Sequence, residues 1–538
     1  MLLLCGCGGA SSKNAVYYKD FGAKGDGKTD DMKAIAKAHE YANQHGLPVY
    51  AEEGATYYLA TTEITIKIQT DTDWTGAKFI IDDRGSEVFK YHKSPLFLIE
   101  RDTPAVIYNK EEIDTLFPGA AILEGDTNIP WLCGKFDSKQ LIRFYNENHI
   151  DFIRFGGNVN KDIRTDCLLV NPDGSIDEST PVVFKFEKVT AIEIFSTTDK
   201  PITIQGGYFE TIVCHVVEET GFENKWVGYK RNFKIERPNT TIRDMTHRLI
   251  DEPDIPNEGY GRDENGKLSQ SYPYYGFVYF YHTYNSQAVN INLNAHTTYY
   301  EDKPTSTEPI AMGSYDLVIE HSSHVKCENI TNGVPIRDTR YWGIMSSNGA
   351  KNMEFINCSM SRFDAHEGFW NARLVGCVFG QSINVIGGGK LEVIDTIREG
   401  GSYFIRLRGD YGATFNGEII IKNCKYPAYK TYRGFFTNKQ HNSSVIIYSG
   451  FPHHNEKALN WNFGYTCFMP KNIHIENLEL PFPDATYVYS PLPDICFSND
   501  ISNTYVKTKG ITFRGMRPLK TCRDENCMEL LTIPVTTE

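Results

Sequence analysis

The residues best suited to chemistry lie between positions 314 and 411. This stretch holds Tyr315-Asp316, His321, His324, Arg337-Asp338 and Arg340-Tyr341-Trp342. It continues with Ser361-Arg362-Phe363-Asp364-Ala365-His366-Glu367 and closes on Arg406-Leu407-Arg408-Gly409-Asp410-Tyr411. Asp364 and Asp410 each end an Arg-x-Asp triplet. A pair of carboxyl groups is what glycoside hydrolysis uses, one as acid and the other as base or nucleophile. The guanidiniums of Arg362 and Arg408 suit a carboxylate or sulfate on a substrate, which they meet as a bidentate fork. They would also lower the pKa of a neighbouring aspartate, which favours a base over an acid. His366, flanked by Asp, Glu and Arg, is the third candidate for catalysis. Arg340, Arg406, Asp338, Glu367, Trp342 and Tyr411 complete the set as substrate-binding candidates. The bland reading of the same residues is a stacked ladder of surface ion pairs.

A weak internal repeat is what would hold these groups together. Its pattern is apolar, x, apolar, x, small-or-Asn, then Cys or apolar. It fits Val325-Cys327-Asn329-Ile330, Met353-Phe355-Asn357-Cys358, Ala372-Leu374-Gly376-Cys377, Ile419-Ile421-Asn423-Cys424, Ile473-Ile475-Asn477-Leu478 and Ile511-Phe513-Gly515-Met516. Ile202-Ile204-Gly206 and Thr240-Ile242-Asp244-Met245 fit more loosely. Alternation of this kind predicts strands, and Asn or Gly at a strand end suits a turn that needs left-handed backbone. The spacing implies coils of about 20 to 28 residues, each unable to bury its own inner face, so coils must stack. Asp364 and Asp410 hold similar places before Ala372 and Ile419, with one coil between them carrying Ser382, Asn384 and Gly387-Gly388-Gly389. Coils about 4.8 Å apart would separate the two carboxylates by about 10 Å. Inverting glycosidases use about 6.5–9.5 Å.

Near the start, Asp20-Phe21-Gly22-Ala23-Lys24-Gly25-Asp26-Gly27-Lys28-Thr29-Asp30-Asp31 is followed by a helical pattern from Met32 to Gln44 and an apolar strand at Leu47–Tyr50. This segment resembles the N-terminal cap of the pectate-lyase-like superfamily, which includes polygalacturonases and phage tailspikes. The resemblance implies an all-β fold, a single right-handed parallel β-helix with a short helical cap. It carries little about reaction, and the aspartates of the cap are expected to fix turns and the helix start. The Asn-Thr-Asp, Asp-Asp and Gly-His-Gly elements of polygalacturonases are missing. Asp364-Ala365-His366-Glu367 is similar to the Asp-Pro-His-Glu motif of mannuronan C5-epimerases, with Ala in place of Pro. In that family the His takes part in moving the C5 proton of a uronate, and the Asp lies beside it.

Two regions interrupt the repeat. Residues 96 to 185 read as an inserted β-rich subdomain, with Asn171-Pro172-Asp173-Gly174 a turn between strand-like runs. Residues 251 to 285 end in YPYYGFVYFYHTY, which is either an aromatic platform for sugar rings or a strand with Tyr on both faces. The division expected is therefore 1–12 tether, 13–95 cap and first coils, 96–185 insertion, 186–516 β-helix, and 517–538 tail.

The net charge of -13 argues against nucleic acid as a partner. No apolar run is long enough for a transmembrane helix. The opening Leu4-Cys5-Gly6-Cys7 resembles a bacterial lipobox, which implies an exported lipoprotein, periplasmic or on the cell surface, with an outer-membrane lipid anchor. Thirteen cysteines show no zinc spacing; only Cys522 and Cys527, in a polar tail, invite a disulfide. No cofactor is expected. Calcium suits carboxylates in such a fold, yet no EF-hand-like run occurs. The function expected is an enzyme on an acidic polysaccharide. It would be a hydrolase using Asp364 and Asp410, or a lyase or uronate C5-epimerase using His366. A non-catalytic glycan-binding or tailspike-like β-helix is the third reading.

Overall fold

The computed structural model describes residues 14–85, 88–91, 93–151, 162–215, 230–252, 275–294, 299–302, 309–312, 315–337, 341–347, 349–400, 403–408, 411–412, 414–427, 443–448, 466–480, 486–489, 505–506, 508–522 and 534–538. Thirty strands join one parallel sheet that winds as a right-handed β-helix. The repeat becomes a set of vertical columns inside it. Val325, Met353, Ala372, Leu391, Ile419, Ile473, Ile511 and Val535 sit one above another. Leu391-Val393-Asp395-Thr396 is a coil the repeat pattern passes over, because Asp and Thr stand where its neighbours carry Asn and Cys. Thr396 is fully buried there and donates to the Leu374 and Ile394 carbonyls, as the Cys377 thiol does to those of Phe355 and Val375.

The turn positions explain the Asn signature. Asn290, Asn329, Asn357, Asn423 and Asn477 all have φ between 49° and 55°. Asn tolerates that region better than most residues, and its short amide bonds locally. Here the amides also bond along the stack: Asn329 donates to Asn290 at 2.8 Å and Asn477 to Asn423 at 3.0 Å. Where Gly376 follows Asn357, a Cβ would meet the Asn357 amide oxygen at 2.5 Å.

The cap closes the first coils. Helix Met32–His45 buries Met32, Ile35, Ala38, His39 and Ala42 and ends at Gly46, φ 65°. Asp31 accepts from the Lys24 and Gly25 amides at 2.7 and 3.0 Å, and Asp30 from Met32 N at 3.1 Å, so both aspartates fix backbone.

A second, antiparallel sheet stands off the coils. Its order is Asp162–Val170, Gln140–Asp151, Ala191–Ser196, Val106–Tyr108, over a core that includes Phe117, Leu132, Phe144, Leu168 and Phe186. Phe97–Ile99 pairs with coil strands, so the antiparallel unit starts after it and extends past 185 to Ser196. Gly174, φ 83°, makes the turn after Asn171. The unit is tied down by Lys351 and Asp166, paired at 2.7 Å and almost wholly buried, and by Lys351 Nζ and Asn352 Nδ2 donating to the Pro181 and Ser179 carbonyls. At the far end Lys520–Cys522 and Val535–Thr537 still pair in the main sheet, so the expected tail continues the coils. Cys527, the tether and residues 253–274 lie outside the described residues.

Candidate active site

Asp364 ends strand Ser359–Asp364, where the chain leaves the sheet for the loop that carries His366. One column runs Val318, Met345, Asp364, Asn384, Arg406. The residue two coils from Asp364 is therefore Arg406, not Asp410. The spacing argument fails because the loops that leave the two strands differ in length. Asp410, Asp338 and Arg340 lie outside the described residues.

Around Asp364 every close partner is a donor. Arg408 Nη1 reaches Oδ1 at 2.8 Å, with Asn384 Nδ2 at 3.4 Å. Arg362 Nη2 and the Tyr315 hydroxyl both reach Oδ2 at 3.0 Å. Burial alone would push this carboxyl's pKa up; the guanidiniums of Arg362 and Arg408, with His366, outweigh that and hold it well below the usual carboxylate range. Held in this direction, Asp364 is an anion near neutral pH and suits a positioning or base role, not that of a general acid.

Tyr315 stands 49 residues earlier in the chain. Its oxygen is also 2.7 Å from His366 Nε2. Burial, and then the Asp364 charge, hold the phenol far above its normal pKa, so it keeps its proton. The Tyr315 proton goes to the anionic Oδ2, the stronger acceptor. His366 then donates through Nε2 to the Tyr315 oxygen, and this tautomer puts the lone pair on Nδ1. Trp342 packs edge-on to Tyr315 at 5.3 Å and lies under the Arg362 guanidinium at 4.3 Å; Arg408 lies over Tyr411 at 5.2 Å. The Asp364 side chain is 2% exposed, against 14% for His366 and 18% for Arg362. Substrate can touch the histidine and the arginine, while Asp364 positions them.

The structure thus brings together Asp364, His366, Arg362, Arg408, Trp342 and Tyr411. Arg406 stays in their column, and Glu367 turns towards the inserted sheet. Tyr315 and Asn384 join them unassigned by sequence reasoning. The tyrosine-rich run is strand Tyr275–Tyr281, with Phe277, Val278, Tyr279 and Phe280 buried. Tyr275 and Tyr279 both donate to Glu320, and Lys230 and Lys234 lie over Tyr275 and Tyr281 at 4.2 and 4.3 Å. The strand is a packed wall beside the site, not an open platform. Among the described residues no group of three or more His, Cys, Asp or Glu is arranged to hold a metal.

No protein-family profile matches the chain, and no curated protein does. Solved structures do. In fold the chain is similar to a phage tailspike. The tailspike gp61 of Pseudomonas phage phi297 aligns over 97% of this chain and 84% of its own, at 10% identity and a TM-score of 0.50. Two others fall below that score. Endo-xylogalacturonan hydrolase from Aspergillus tubingensis covers 92% and 99% at 10% identity, TM-score 0.43. The tailspike gp49 of Pseudomonas phage LKA1 covers 89% and 83% at 12% identity, TM-score 0.40. At such identities the likeness speaks for the β-helix fold alone.

Proposed function

We propose that this protein acts on a uronate-containing polysaccharide by removing the proton at C5, with β-elimination as the outcome. The observation that carries the reading is the 2.7 Å contact between Tyr315 Oη and His366 Nε2, beside a carboxylate that two arginines keep ionised. A C5 proton next to a carboxylate is weakly acidic, and its removal needs a base together with cations that neutralise the growing charge. His366 Nδ1 takes the proton. Arg362 and Arg408 lower the energy of the enolate-like carboxylate. The C4–O bond breaks, a C4=C5 double bond forms, and the proton passes from the His366 imidazolium to the departing oxygen, while buried Tyr315 holds the ring in place. A base that also returns the proton on the same side of the ring suits a syn elimination, whereas epimerisation needs a proton donor on the face opposite the base.

For hydrolysis the charge held on Asp364 suits a base and not an acid, and Asp410, the other carboxyl of that reading, lies outside the described residues. The test is incubation with a panel of uronate polysaccharides. The expected result is a product with the near-ultraviolet absorbance of the conjugated double bond, absent with His366→Ala. New reducing ends without that absorbance would restore hydrolysis. Deuterium uptake at C5 without chain cleavage would assign epimerisation, in line with the Asp-x-His-Glu likeness.

A further inference from the structure

A cavity of about 250 Å³ lies between the inserted sheet and the coils. Arg143, Tyr145 and Phe184 line it from the insertion; His321, Phe369 and Trp370 line it from the coils. Among the described residues it adjoins the candidate active site through the loop after His366, where Glu367 also faces it.

Two of its polar groups lack the partners that burial normally demands. The Arg143 guanidinium rests on the Tyr145 ring at 4.6 Å, and its Nη1 is 3.2 Å from His282 Nε2. Its Nε is buried without a hydrogen bond, and among the described residues no carboxylate comes within ion-pair distance of it. His282 does not offset that charge, since burial, then neighbouring His321 and Arg143, hold its ring neutral. His321 is 7% exposed and its Nδ1 is buried with no partner. The other charged pair in the wall, Lys351 with Asp166, is closed on itself at 2.7 Å. What is left is the Arg143 guanidinium, with Glu193 acting on it from beyond ion-pair distance, together with one ring nitrogen and the Glu367 carboxylate, facing a space walled by aromatic rings.

We propose that this cavity binds a single acidic pyranose unit, with its carboxylate on Arg143, a hydroxyl on His321 Nδ1 and its flat face on the aromatic wall. Pockets for drug-sized ligands run to about 300–1,000 Å³, so this space takes one ring and not an oligomer. One guanidinium balances one negative charge, and Glu367 in the wall disfavours a second. Aromatic walls suit the apolar face of a pyranose. The inference stands on this lining and not on the reaction at His366.

The test uses the full chain carrying His366→Ala, so that turnover plays no part. Titration calorimetry with glucuronate, galacturonate and mannuronate is compared with glucose, galactose, mannose and benzoate. The expected result is millimolar or tighter binding of at least one uronate, about tenfold tighter than its neutral counterpart, roughly one carboxylate contact's worth. Arg143→Met should abolish that preference. Trp370→Ala, on the coil side, should weaken binding without touching the insertion, and serves if Arg143→Met unfolds it. No uronate binding, equal binding of the neutral sugar, or benzoate binding as tightly would overturn the proposal. So would affinity for an oligouronate with none for any monomer, or binding that survives both substitutions.

Discussion

Asp364→Asn is the substitution that most directly probes the site. The side chain keeps its shape and loses its charge. In the native protein its two oxygens accept from Arg408, Asn384 and Tyr315 and pair with Arg362 at 3.0 Å, four donors with no competing acceptor among the described residues. An asparagine amide would bring its own N–H groups against at least one guanidinium, and both arginines would lose their buried counter-ion. Removing one partner of a buried ion pair costs about 3–5 kcal/mol. Native Asn384 already presents an amide to the same oxygen, so no repositioning of the substituted side chain can satisfy all four donors. With a urea m-value of about 3 kcal/mol/M or somewhat more for a chain this long, the unfolding midpoint should fall by roughly 1 M. Circular dichroism in urea at neutral pH reads this. A double-mutant cycle makes it specific: Arg408→Met should cost at least about 1 kcal/mol less in the Asp364→Asn background than alone, the coupling expected of groups in contact. An unchanged midpoint, or strictly additive costs, would refute the placement of Asp364 between two cations.

Three further outcomes follow. Tyr315→Phe should leave the fold intact and lower the elimination rate by no more than about 10²–10⁴-fold, the worth of the base it orients, measured by ultraviolet absorbance on the same substrate. Lys351→Met leaves buried Asp166 unpaired, at about 3–5 kcal/mol, and should expose the 106–196 unit to limited proteolysis before the coils yield. His39, fully buried in the cap helix and bonded to the Tyr18 hydroxyl at 2.7 Å, has its pKa lowered by burial to about 3. The unfolded chain then binds a proton below about pH 6.5 that the folded chain refuses, so the cap should lose stability as pH falls from 6.5 towards 3; hydrogen exchange in Met32–His45 reads it.

How much of this was legible in the sequence depends on distance along the chain. The coils were readable because each strand carries its own alternation and each turn its own Asn or Gly, all local signals. Where Asp395-Thr396 replaced Asn-Cys, the coil was missed although the chemistry of the turn is the same. Turn residues Asp30, Asp31 and Gly174 were readable for the same local reason. The site was half readable. Arg362, Asp364 and His366 fall within five positions, and their types alone point to acid–base work on an anion. Tyr315 stood in the candidate stretch, but its partners did not show, since only the vertical register brings a strand 49 residues away beneath Asp364. The register expected of Asp410 failed for the matching reason: counting residues to the next strand assumes equal loops, and the column holds Arg406 instead, with Asp410 itself outside the described residues.

The arginine clamp also carries a consequence for synthesis. Arg362 is made two residues before Asp364, but Arg408 follows 44 residues after it. At about 5–20 residues per second, the nascent coil holds its carboxylate for roughly 2 to 9 seconds with one counter-ion of the two. A ribosome-stalled chain ending just short of Arg408 should therefore carry a structured cap and insertion, yet an open, inactive site.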